Sequence, residues 1–140
     1  MDSINHEIEI SASPETVYSA ISTRQGIKSW FTPKVEGSGA VNSEWKLFFK
    51  DQPEFHWRIS ASDTNKRIVW DCLKGPGNSV GTSVIFDILP RKNEKTLLII
   101  SHLNWPDNDQ KLRKCNTLWG IIIHHLKKFA ESNISNPAYI

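Results

Sequence analysis

The chain has 140 residues and a net charge of +2, with 39% apolar and 23% charged residues, the balance of a globular domain and not of a disordered segment. A chain of that length buries roughly 68–70% of its unfolded surface in one core, and its lysines and arginines are scattered, unlike the basic stripe of a nucleic-acid binder. Cys72 and Cys115 stand far apart with no CxxC spacing, which excludes a disulfide scaffold.

Ile4 to Ser11 alternates, with Ile4, His6, Ile8 and Ile10 on one side, and predicts a strand with one buried face. Ser13-Pro14-Glu15 is a helix start: an N-capping Ser, Pro at the first helical position and an acid in the first turn. That helix turns Val17, Ala20 and Ile21 inward. A second short helix is predicted from Arg24 to Phe31, stopping before Pro33. Alternating strands follow at Glu44–Lys50 (Trp45, Leu47, Phe49 on one face) and Phe55–Ala61 (Phe55, Trp57, Ile59, Ala61). Lys66–Leu73 (Ile68, Trp70, Cys72) and Gly81–Leu89 (Thr82, Val84, Phe86, Ile88) continue the pattern. Lys95–Asn104 is a nearly continuous apolar run, expected of a central strand covered on both faces. The short turn-rich stretches between these strands imply hairpins and an antiparallel sheet. From Asn108 to Ser132 one long helix is expected, about 37 Å in length, opened by a capping box at Asp107 and Gln110. Its apolar stripe runs through Leu112, Cys115, Leu118, Trp119, Ile122, Ile123, Leu126 and Phe129, while Ile121 falls among polar residues. The basic residues of this helix, Lys111, Arg113, Lys114, Lys127 and Lys128, read as a solvated face. The tail from Ile134 to Ile140 is expected to fray.

Few chemical motifs are present. Gly75, Gly77 and Gly81 lack the Lys-Ser/Thr and the following helix of a phosphate loop and read as a turn. There is no GxSxG, no HExxH and no zinc spacing. His124 and His125 are neighbours about 100° apart on a helix and cannot chelate as an i, i+4 pair does. His102, near the end of the last strand, is the one residue positioned to bind a polar ligand group or to act as an acid or base. Glu44, Glu54 and Asp71 are the other titratable groups on strands, and no pattern converges them on His102.

Several phrases occur in a fixed order: Ile8-Glu9-Ile10-Ser11-Ala12-Ser13-Pro14-Glu15-Thr16-Val17-Tyr18, Lys28-Ser29-Trp30-Phe31, Lys66-Arg67-Ile68-Val69-Trp70, Thr96-Leu97-Leu98-Ile99-Ile100-Ser101-His102 and Leu118-Trp119-Gly120 through Leu126-Lys127. Together they resemble the START-like (SRPBCC) superfamily, in the branch of the activator of heat-shock protein 90 ATPase homologues. The resemblance spans about Ile4 to Ser132. One departure is Asn42-Ser43, where the branch often carries a glycine pair before the strand at Trp45. The resemblance implies an α+β helix-grip fold: a curved antiparallel sheet of about six strands wrapped around a long C-terminal helix, with two short helices after the first strand. It also implies a cavity between sheet and helix for a lipid-like, polyketide-like or other aromatic ligand. It carries no universal catalytic set.

The expectation is therefore one START-like domain over 1–140, ordered over about 4–132, that binds or carries a small hydrophobic or aromatic molecule. Its expected lining is Trp30, Trp45, Phe49, Trp57, Trp70, His102, Trp119, Ile122 and Leu126. The alternatives are an enzyme acting on such a ligand, with His102 as acid or base, and a chaperone-linked interaction protein. In the eukaryotic co-chaperone this domain accompanies a separate N-terminal domain for which no residues remain here, so ancestry is favoured over chaperone activity. No cofactor, metal, nucleic-acid partner or membrane insertion is implied: no apolar run nears the ~20 residues of a span. The first residues lack a signal peptide's basic and apolar regions, so a cytoplasmic location is expected. The oligomeric state is left open.

Overall fold

Each predicted element exists, in the predicted order, in the computed structural model, which describes residues 1–140. Strand β1 (Asp2–Ile10) leads into helices α1 (Pro14–Ser22) and α2 (Arg24–Trp30). Six further strands follow: β2 (Lys34–Glu36), β3 (Glu44–Phe49), β4 (Gln52–Asp63), β5 (Arg67–Lys74), β6 (Ser83–Arg91) and β7 (Lys95–Trp105). Helix α3 (Leu112–Ser132) closes the chain's regular structure. The strands form one seven-stranded antiparallel sheet in the order β1-β7-β6-β5-β4-β3-β2. The sheet therefore holds one strand more than the sequence pattern predicts. The extra strand, β2, spans three residues with only Val35 buried, too short to show a period.

Alternation places one face of each strand in the core. Ile4 and Ile10 of β1, Ile68, Trp70 and Cys72 of β5, and Val84, Phe86 and Ile88 of β6 are all buried on the side that faces the helices. The N-terminal helices form as their caps dictate. The Ser13 hydroxyl accepts from the Thr16 amide at 3.2 Å and the Thr23 hydroxyl from the Gly26 amide at 3.0 Å, each satisfying an otherwise orphaned donor. Helix α3 is clipped to β1 at its far end: the Glu131 carboxylate accepts from the Ser11 amide and from Lys127 Nζ, both at 2.7 Å.

Four expectations give way to local physics. A β-bulge in β4 lies between Ile59 and Ala61, so Ala61 turns out to solvent, and Ser62 points in to meet the Tyr18 hydroxyl at 2.5 Å. Strand β7 has only one buried face; Leu97 and Ile99 on the other are half-buried, covered by neighbours such as Glu9, Glu7 and Leu89 and not by a second layer. Helix α3 starts at Leu112 and not at Asn108, because Asn108 is left-handed (φ 57°) and cannot continue a helix. The capping box is consequently unused, and Asp107 pairs with the Met1 amino group at 2.8 Å. Finally, the tail after Asn133 does not fray. Asn133 caps α3 in a left-handed conformation (φ 59°) and reverses the chain, which then docks beside α2 through three backbone hydrogen bonds described below.

Helices α1 and α2 meet at Gly26, where a Cβ would run into the backbone carbonyl of Ala20. The same carbonyl accepts from Trp30 Nε1 at 2.8 Å, so the two helices are locked together at one point. Gly26→Ala should push this contact apart and destabilise the fold by about 1–3 kcal/mol. Urea unfolding of the variant measures it, and an unchanged midpoint would show that the helices separate without penalty.

Candidate functional site

Between sheet and α3 lies a partly open apolar cavity of ≈ 80 Å³. The sheet contributes Phe49, Phe55 and Trp57, the end of β7 contributes His102 and Trp105, and α3 contributes Cys115, Leu118, Trp119 and Ile122. Phe31, just past α2, and Tyr139, from the tail, complete the wall with Gln52 and Ser79. No Asp, Glu, Lys or Arg is among these residues. The wall is a continuous set of rings: Phe55 and Trp57 stack 5.6 Å apart, Phe49 meets Phe55 edge-on at 6.1 Å, and Tyr139 meets Phe49 at 4.7 Å. Its thiol is inert, since burial pushes the Cys115 pKa up, which leaves little thiolate near neutral pH. The buried Cys72 thiol, outside the cavity, is raised to about 11 by the same effect.

His102 is the polar centre of the wall, and it is fully engaged. Trp119 Nε1, which can only donate, gives its hydrogen to His102 Nδ1 at 3.0 Å. Nδ1 is therefore the acceptor and Nε2 carries the proton, which it donates to Thr82 Oγ1 at 2.8 Å. The Thr82 hydroxyl donates onward to the Ser79 carbonyl, and the Ser79 hydroxyl to that of Pro76, both at 2.6 Å. The chain of bonds ties α3 to β7 and to the loop before β6. Trp57, Trp105 and Trp119 surround the ring with centroids at 5.7, 4.9 and 6.0 Å. Burial among them lowers the His102 pKa from 6.5 to about 4. A neutral ring with both nitrogens committed offers neither a free lone pair nor a labile proton to a substrate.

One buried donor on the wall has no partner. Trp105, fully buried, has its Nε1 unpaired. Trp45 and Trp70 carry the same unpaired group in the core away from the cavity. Elsewhere, no group of three or more His, Cys, Asp or Glu side chains is placed to hold a metal ion, and no helix is long and apolar enough to cross a membrane.

Residues 11–131 match the sequence profile of the family described as activator of Hsp90 ATPase homolog 1-like protein. The chain belongs to this family. Its fold agrees: the Aha1 dimer from Colwellia psychrerythraea, solved in solution, is 31% identical with a TM-score of 0.87, over 94% of this chain and 98% of that one. A conserved protein of unknown function from Enterococcus faecalis is 24% identical (TM-score 0.73, 99% of this chain, 76% of that one). A protein from Mesorhizobium loti is 18% identical (TM-score 0.79, 91% and 95%). The last two show the shared fold alone. No curated protein is significantly similar in sequence. The START-like resemblance and its helix-grip architecture thus hold for this family member.

The cavity sits at the N-terminal half of α3, and that decides where each expected lining residue falls. Phe49, Trp57, His102, Trp119 and Ile122 are on its wall. Trp30, Trp45, Trp70 and Leu126 are not: all four are fully buried core. Trp30 is bound to the Ala20 carbonyl, Trp45 is covered by the turn at Gly37 and Gly39, and Trp70 packs on Phe86 at 4.7 Å. Leu126 lies a turn past Ile122, toward the end of α3 that meets α1. Sequence reasoning missed Phe31, Gln52, Phe55, Ser79, Trp105, Cys115, Leu118 and Tyr139. For three of them the signal was present: Phe55 shares strand parity with Trp57, and Cys115 and Leu118 share the helix stripe with Trp119.

The depressed His102 pKa fixes a pH dependence. The unfolded imidazole takes its proton near pH 6.5 and the folded one near 4, so stability is complete above about 6.5 and is lost as pH falls toward 4. The loss is on the order of 3 kcal/mol for this group. His102→Gln keeps an acceptor and a donor but does not titrate. Urea unfolding at pH 7 and 4.5 should give wild type the larger loss of stability; equal losses in the two proteins would remove His102 as the cause.

Proposed function

We propose that the chain is a non-catalytic binder or carrier of a small, uncharged aromatic molecule, acting as one START-like unit over 1–140 in the cytoplasm. The observation that carries this reading is an aromatic cavity between sheet and α3 whose wall holds no charged side chain. Apolar pockets with a few polar anchors are the ordinary form of a small-ligand site. Burying an ionised ligand group there without a counter-charge would be strongly unfavourable. The polar anchor that remains there is the Gln52 amide, which no other side chain engages and which can both donate and accept. A ligand carrying a carbonyl, ether or phenolic oxygen matches it.

The enzyme alternative needs an acid or base, and His102, its one candidate, has both nitrogens engaged. The chaperone-linked alternative draws on the family description and on the relative solved as an Aha1 dimer. No feature of the cavity bears on it, and stimulation of the heat-shock protein 90 ATPase by this chain would favour it.

Native mass spectrometry of freshly purified protein should reveal a co-purified neutral aromatic. In titrations followed by tryptophan fluorescence, 2-naphthaldehyde should bind at least about tenfold tighter than 2-naphthoate, because only the second brings a charge into the cavity. At a hundred times its Kd the aldehyde should add about 2.7 kcal/mol to stability. Cys115→Leu fills the cavity from α3 and should abolish binding while leaving the protein folded. Equal binding of the two compounds, or binding unaffected by Cys115→Leu, would rule out this site.

A further inference from the structure

The cavity is small for the ligand class just proposed, on which the present inference rests. An apolar cavity of about 150 Å³ holds a benzene, whereas this one measures ≈ 80 Å³. Part of the missing space is taken by the chain itself. After the left-handed Asn133 the tail runs back along α3, where the Asn136 carbonyl contacts His125 Nδ1 at 2.7 Å. The amides of Asn136, Ala138 and Tyr139 then donate to the carbonyls of Ser29, Trp30 and Phe31 at 2.9, 2.9 and 3.0 Å. These carbonyls are the acceptors that the end of α2 leaves without an intrahelical partner. The docking carries Tyr139 onto the cavity wall, stacked on Phe31 at 6.1 Å and edge-on to Phe49 at 4.7 Å.

We propose that the segment from Ile134 to Ile140 is a displaceable strap, and that Tyr139 occupies the cavity in the place of a ligand's aromatic ring. Tyr139 is then the residue that sets ligand size: only molecules smaller than a benzene ring fit beside it, and a ring or anything larger must displace it. Three features support displacement over permanent packing. The strap makes no regular secondary structure, its first residues are exposed, and both Tyr139 and its edge-on partner Phe49 are only partly buried, so their contact lies near solvent. Its bonds to α2 and to His125 involve groups that water can satisfy once the strap leaves, so opening forfeits the net value of four hydrogen bonds and two ring contacts. A ligand that binds the open state pays for opening through a reduced apparent affinity, by the fraction of molecules that are open.

The test uses N-phenyl-1-naphthylamine, a neutral multi-ring fluorophore, with wild type, Tyr139→Phe and Tyr139→Ala. Removing the ring should tighten binding at least about fivefold, while Tyr139→Phe, which keeps it, should match wild type. In wild type, saturating probe should speed hydrogen exchange at the amides of Asn136, Ala138 and Tyr139. That measurement stands even where Tyr139→Ala folds poorly. Tyr139→Ala binding no tighter than wild type, or exchange at the three amides that stays constant or slows, overturns the strap and leaves the ligand site standing. Failure of all three proteins to bind the probe overturns the ligand reading and the strap with it.

Discussion

An indole N–H in the middle of an aromatic core must find an acceptor or stay unpaired, and for Trp119 that acceptor is His102 Nδ1. The bond settles more than one donor. It fixes the tautomer, since Nε2 must then carry the proton that Thr82 receives. It keeps the imidazole neutral as well. Trp119 turns its N–H edge and not its π face to the imidazole, so a protonated Nδ1 would confront that N–H with a second donor. Desolvation among the rings is the main cause of the lowered pKa, and the donor clash acts in the same direction.

The geometry of the cavity follows from that bond. Trp119 is held edge-on to Phe31 and Phe86 at 6.1 and 6.3 Å, so its ring cannot swing across the gap between α3 and β4. Because the polar atoms of His102, Thr82 and Ser79 are spent on each other, the interior of the fold presents rings and a few unspent donors. A network that looks like a catalytic relay in outline is here a strut, and its function is to hold a wall in place.

Fold and site were legible to different depths. Strand parity and the long helix could be read because alternation and the helical stripe are forced by burial, as at Trp45, Trp57, Trp70 and Trp119. What escaped detection lacks a period. Strand β2 is three residues long, the bulge after Ile59 reverses parity without a Gly or Pro to announce it, and the tail carries its one ring, Tyr139, in a stretch too short and irregular to show a period. The cavity was legible only in part for a further reason. Parity says that Trp45, Trp57 and Trp70 share the inner face, but not which of them the helices cover. The turn at Gly37 and Gly39 buries Trp45 and the packing of Phe86 buries Trp70, and both are tertiary facts.

The aromatic load of the chain also explains why a gap survives in so small a domain. Methyl-bearing side chains interdigitate and close voids, whereas flat rigid rings meet at fixed angles and leave wedges between them. Away from the cavity the rings alternate with aliphatics across the sheet: Trp70 pairs with Ile59 and Val84, and Phe86 with Ile68 and Ile100. At the N-terminal half of α3 rings face rings, from Phe55 and Trp57 across to Trp119 and Trp105, with few branched aliphatics between them. The wedge is bounded by sheet and helix on most sides. Phe31 and Tyr139 close the remainder from segments outside regular structure, so this is the side on which the wall can yield without disturbing a strand pairing or a turn of α3.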